Sequence, residues 1–113
     1  MKPVKGERWV FNDQVEGTNP AEGVTRKVLA YCDEAMCVAH YFEKGSIGAQ
    51  HSHPHTQITY VASGVFEFDI EGEKKLVKEG DTLLKQNSIV HGAVCIEAGA
   101  LIDFFTPMRE DFV

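Results

Sequence analysis

Three of the five histidines in the chain stand together in His51-Ser52-His53-Pro54-His55. Imidazoles at this spacing suit a metal ion. On a strand, residues i and i+2 point to the same face, so His51 and His53 can aim at one point in space. Pro54 has no N–H and suits a strand end, which predicts a bend there. Gln57, just past the bend, can add an amide oxygen to the same point. Two imidazoles and an amide oxygen make an incomplete site, and His91 is the candidate to complete it. Without a metal, the same residues are surface histidines near a turn. His55 has the parity of His51 and His53, but the proline before it breaks the register. His40 falls in a β-prone segment, either lining the interior or serving as a hydrogen-bonded core histidine.

A second chemical feature lies in Leu101-Ile102-Asp103-Phe104-Phe105. By alternation Asp103 shares a face with Leu101 and Phe105. A carboxylate on an apolar face is costly unless it is paired, metal-linked or functional. Burial would raise its pKa and suit it to proton transfer. The opposite phase puts Ile102 and Phe104 inward and Asp103 in solvent, and the residues leave both phases open.

The elements that must position these groups fit one domain of 113 residues, 43% hydrophobic and 25% charged. A formal net charge of −6 offers nothing to a phosphate backbone or an anionic membrane surface. It does not exclude a small anionic ligand, because one local Arg outweighs a global charge at short range. The opening residues lack an apolar core of signal-peptide length, and no stretch approaches the ~20 apolar residues of a membrane span. A cytoplasmic protein is the expectation. Three cysteines, Cys32, Cys37 and Cys95, fit reduced thiols better than a disulfide framework.

Residues 1–23 show little regular period and form an N-terminal arm, with Asn19-Pro20 and Gly23 as turn punctuation and Trp9, Val10 and Phe11 expected to pack on the body of the domain. Val24 to Cys32 and Met36 to Phe42 are β-prone, and Gly45 to Gly48 is a break. Ile58 to Ala62 reads as a strand closed by Ser63-Gly64. Phe66-Glu67-Phe68-Asp69-Ile70-Glu71 alternates apolar and acidic residues, the mark of a half-buried strand. Thr82 to Leu84, Ile89 to Ile96 and Leu101 to Thr106 supply later strands. Short strands between Gly- and Asn-containing turns predict an all-β sandwich or barrel. If Gln57, Thr59 and Val61 face inward, Ile58, Tyr60 and Ala62 make an apolar outer face. Such a strand is covered on both sides, here by the segment around Trp9 and Phe11 or by a second subunit, and a homodimer is the expectation.

These residues resemble the cupin family. Its first motif is Gly, five residues, His-x-His, three or four residues, Glu, six residues, Gly. Gly45, His51-Ser52-His53, Gln57 and Gly64 keep every spacing, with Gln57 where the pattern has Glu. Its second motif survives in Gly80 and His91, while Gln86, Ser88 and Cys95 replace Pro, Gly and Asn. The resemblance spans roughly residues 24–106. It implies a double-stranded β-helix, a small jelly-roll barrel. It also implies one divalent metal (Ni, Zn, Mn, Fe or Co) held by His51, His53, Gln57 and His91. Three imidazoles and an amide form a neutral shell, which suits Lewis-acid work on an anionic oxygen ligand better than high-valent iron chemistry.

The tail Asp103-x-Phe105-Thr106-Pro107-x-Arg109-Glu110-Asp111-Phe112, joined to the histidine motif, is similar to the small KdgF-type cupins of pectin and alginate breakdown. That resemblance implies ring opening of 4,5-unsaturated monouronates to the linear keto sugar acid. Asp103, Phe105 and Arg109 would then be the functional acid, aromatic and arginine. Asp103 would shuttle a proton, Phe105 would pack on the sugar face, and Arg109 would fork onto the carboxylate. Alternatively Arg109 pairs at the surface with Glu110 or Asp111. A different metal cupin, such as a dioxygenase or sugar isomerase, and a non-catalytic sugar sensor are the other classes.

Overall fold

Alternation and turn chemistry dictate strands throughout, and the computed structural model, which describes residues 1–113, is built from eight of them. They are β1 (Thr18–Ala21), β2 (Val24–Tyr31), β3 (Met36–Phe42), β4 (Ile47–His51), β5 (Thr56–Ile70), β6 (Glu73–Lys78), β7 (Thr82–Lys85) and β8 (His91–Thr106). Short 3-10 turns at Asn12–Gln14 and Glu110–Phe112 complete the chain. The strands run in the order β1-β2-β3-β8-β5-β6, with β4 also on β8 and β7 also on β5. All the pairings are antiparallel. This is the all-β jelly-roll architecture that the family resemblance implied.

The two longest strands, β5 and β8, pair from Thr56↔Thr106 to Ile70↔His91 and carry most of the site. The expected stop at Ser63-Gly64 is not one, and the segments expected at Ile89 to Ile96 and Leu101 to Thr106 are a single strand. Both strands pass through the same irregularity, where the register shifts between Val61 and Phe66. Gly99 meets Ser63 so closely that a Cβ there would collide with the Ser63 carbonyl. A Cβ on Gly64, at φ +83°, would lie 2.6–2.8 Å from the backbone of residues 97–99. The glycines let the ribbon bulge and bend while its ladder continues.

Three other expectations are corrected. Asn19-Pro20 lies in β1, tolerable because Pro20 sits on an edge strand, and the turn falls at Glu22-Gly23. The break after Gly45 is shorter than expected, since Ile47 and Gly48 already belong to β4. Trp9 and Phe11 do not pack on the body: they are 75% and 56% exposed, and Val15 is the arm's buried residue.

The interior holds two apolar clusters. One contains Val24, Phe42, Val61, Phe66, Phe68, Ala93, Cys95 and Leu101, and the other Val28, Met36, Val38, Phe105 and Met108. Each fully buried side chain of this size stabilises the fold by about 1.5–3 kcal/mol. Alternation that buries Leu101 and Phe105 on β8, or Val38 and Phe42 on β3, also turns Asp103 and His40 inward between them. A polar belt therefore separates the two clusters. On the outer face of the same strands, Ile58, Tyr60, Leu84 and Phe104 are exposed, and the N-terminal arm does not cover them. The three cysteines are free thiols.

Candidate metal centre and adjoining pocket

His51 ends β4 and lies directly opposite His91, the first residue of β8. His53 lies beyond the strand end, so it joins His51 through the bend rather than along a shared strand face. The ligand nitrogens of His51, His53 and His91 all fall within 4.8 Å of one another. Backbone carbonyls set two of the rings: Nδ1 of His51 donates to Ala49 (2.7 Å) and Nδ1 of His91 donates to Ile89 (3.0 Å). Each bond leaves Nε2 unprotonated and free, the arrangement metal-bound histidines use. Nε2 of His91 is buried without any partner, an orphan that an ion would satisfy. Burial pushes the His91 imidazole down to about 4 and lowers His53 as well, so both rings are neutral near pH 7, the form that can ligate a metal.

Gln57 faces inward from β5 with its Oε1 2.9 Å from Nε2 of His53. The residues present thus fit a divalent ion. His55 lies outside the triad, its ring 5.5 Å from His53 and 6.4 Å from Phe105.

Asp103 is inward and 3% exposed, which settles its phase. Oδ1 accepts from the Gln57 amide (2.8 Å) and the Thr59 hydroxyl, and Oδ2 accepts from Nδ1 of His40 (2.7 Å). Burial pushes the carboxyl up. The His40 bond, the Lys85 charge and the Thr59 hydroxyl more than offset it and hold the group well below the usual range. The expected raised pKa is therefore reversed: Asp103 stands as an ionised carboxylate. His40 is a hydrogen-bonded interior histidine, since its Nε2 in turn accepts from Nε of Arg26 (3.0 Å). Lys85 is 2% exposed and donates to Thr59 (2.6 Å), and burial pushes its ammonium down to about 8.

His51, His91, Gln57, Asp103, His40, Arg26 and Lys85 line a cavity of about 420 Å³, together with Phe105, Arg109 and Phe112. That volume lies within the range of small-molecule sites. Arg109 both lines the cavity and pairs with Asp111, as Nε and Nη2 reach the two carboxylate oxygens at 2.9 and 2.7 Å. Phe105 is buried under the Arg109 guanidinium (5.2 Å) and against the edge of His53. Arg26, Thr59, Lys85 and Phe112 were not expected in the site. The signal for Arg26 was a cation in phase with buried Val24 and Val28. Lys85 had no comparable signal, because adjacent Leu83 and Leu84 hide the phase of β7.

Residues 39–103 match the cupin domain family model. The chain is 42% identical over 108 residues to the pectin degradation protein KdgF of Dickeya dadantii, covering 94% of this chain and 98% of that one. It superposes on KdgF from Halomonas sp. with a TM-score of 0.88 at 36% identity, over 93% of this chain and 99% of that one. An RmlC-like cupin from Shewanella frigidimarina gives a TM-score of 0.92 at 38% identity, over 96% and 98% of the two chains.

Proposed function

Since the chain belongs to the cupin family, among its KdgF-type members, we propose that it is an enzyme opening the ring of 4,5-unsaturated monouronates to the linear keto acid. The observation that carries this reading is the direct bond from Gln57, beside the histidine triad, to the Asp103 carboxylate in one cavity. His51, His53, His91 and Gln57 would hold one divalent ion, which supplies Lewis-acid polarisation of a substrate oxygen.

The reaction is an isomerisation, so atoms balance within the substrate. The proton on the anomeric hydroxyl leaves, that oxygen becomes the carbonyl, and the bond from the anomeric carbon to the ring oxygen breaks. The ring oxygen is left as an enolate, which takes a proton on carbon to give the keto group. Asp103, ionised and fixed by three donors, accepts the first proton and returns it to carbon. His40 and Thr59 keep its oxygens oriented, so little reorganisation is needed at the moment of transfer. Arg109 turns its fork from Asp111 to the substrate carboxylate. Phe105 forms the floor that fixes His53 and Arg109 together.

The test is direct. Unsaturated galacturonate incubated with the metal-loaded protein should lose its ring-form NMR signals much faster than in buffer. Loss at the buffer rate overturns the proposal.

A further inference from the structure

The cavity carries a cation that the mechanism above does not use. Arg26 enters from β2, half-buried, and spends only Nε on a neighbour, the unprotonated Nε2 of His40. Its Nη1 and Nη2 groups make no hydrogen bond within the chain. No carboxylate lies within ion-pair distance of it, whereas Arg109 is held by both oxygens of Asp111. An unpaired, partly desolvated guanidinium is costly to the fold. Burial and then the nearby charge of Arg109 disfavour the cation, and the charges of Asp111 and Asp103 offset only part of this.

The two guanidiniums converge on one ring: Cζ of Arg26 is 3.7 Å and Cζ of Arg109 is 4.3 Å from the Phe112 centroid. Three cations (Arg26, Lys85, Arg109) against two carboxylates (Asp103, Asp111) line the cavity, although the chain as a whole carries −6. An anion seated at the free edge of Arg26 would relieve the repulsion between the guanidiniums and complete the missing ion pair.

We propose that Arg26 is the second arm of a carboxylate clamp, gripping with Arg109 the acid group of a monosaccharide uronate. This rests on the substrate class proposed above and adds a residue to its recognition. His40 fixes the Nε side of Arg26, which leaves the Nη edge pre-aimed. Phe112 is the shared platform, so the C-terminal turn Glu110–Phe112 sets the spacing between the arms.

Titration calorimetry on the metal-loaded protein tests this with galacturonate, which is saturated and does not react, against galactose, which lacks the carboxylate. The wild type should prefer galacturonate. Arg26→Gln keeps a donor for His40 and should weaken galacturonate about 10- to 100-fold, the value of a charge-assisted hydrogen bond. Galactose binding should be unchanged, and Arg26→Lys should recover part of the loss. Equal weakening of both sugars, unchanged galacturonate affinity, or no preference in the wild type overturns the clamp. If Arg26→Gln does not fold, full wild-type affinity in Arg26→Lys overturns it instead. A wild type that shows the clamp pattern but no turnover of unsaturated uronates sinks the ring-opening reading alone. Turnover with an indifferent Arg26 sinks the clamp alone.

Discussion

Gln57 donates its side-chain amide to Oδ1 of Asp103 at 2.8 Å. Because the carboxylate only accepts, this bond fixes which way the amide lies and turns Oε1 toward His53. A Glu at the same place would set two carboxylates in contact, and one would have to hold a proton. The departure from the cupin motif at Gln57 is thereby matched to the acid on β8. Gln57→Glu should keep metal but raise the pKa of the carboxylate pair, moving the rising limb of the kcat–pH profile upward. A profile superimposable on the wild type would contradict this coupling.

We propose four ligands to one ion: His51, His53, His91 and Gln57. Elemental analysis of untagged protein should find close to one divalent metal per chain. His51→Ala and His91→Ala should each lose most of it, with the fold retained by circular dichroism. Loss in one variant and full occupancy in the other would break the assignment.

Asp103→Asn removes the proton acceptor and presents an N–H to neighbours that themselves donate. It should lower kcat by about 10²–10⁴ with metal still bound. Arg109→Ala should act mainly on kcat/KM, with Arg109→Lys a partial rescue, since a point charge cannot replace a planar fork. Full activity in Asp103→Asn would reduce that residue to a structural role.

Acid should destabilise the metal-stripped protein in a defined window. His91 is pushed down to about 4 in the fold, against 6.5 for a free imidazole. Between those values the unfolded chain binds a proton that the native state does not, so stability falls as pH falls. His53 shifts in the same direction. The loss is on the order of 2–3 kcal/mol, read as a drop in urea midpoint from pH 7 to pH 4.5. His91→Phe should flatten that slope, and an unchanged slope would dismiss His91 as its source.

The exposed outer face at Ile58, Tyr60, Leu84 and Phe104 carries the homodimer proposal. Light scattering at micromolar concentration should give twice 12.6 kDa. Phe104→Glu should give a monomer that keeps its metal. A wild-type mass of 12.6 kDa would end the idea.

The histidine cluster was legible because its spacing depends on local turns, and Pro54 bends the chain where the sequence places it. The phase of Asp103 was not, since Ile102 and Phe104 on one face are as apolar as Leu101 and Phe105 on the other. Ser63-Gly64 looked like a terminator because one strand cannot reveal that its partner is deformed at the same level by Gly99. Lys85 escaped because adjacent Leu83 and Leu84 hide the phase of β7, while Arg26, in phase with Val24 and Val28, carried a signal that was not followed.

The bend at Gly64 and Gly99 has a consequence for how the chain can change length. His91 and Asp103 stand on one strand, both turned inward, with the bulge between them. A residue gained or lost at 97–99 would reverse the facing of everything on one side of it. Either His91 or the Asp103 carboxylate would then be turned out of the cavity. Insertions and deletions in descendants of this sequence should therefore collect at the Glu71-Gly72 and Gly80 turns, and the twelve-residue step from His91 to Asp103 should be inherited without change.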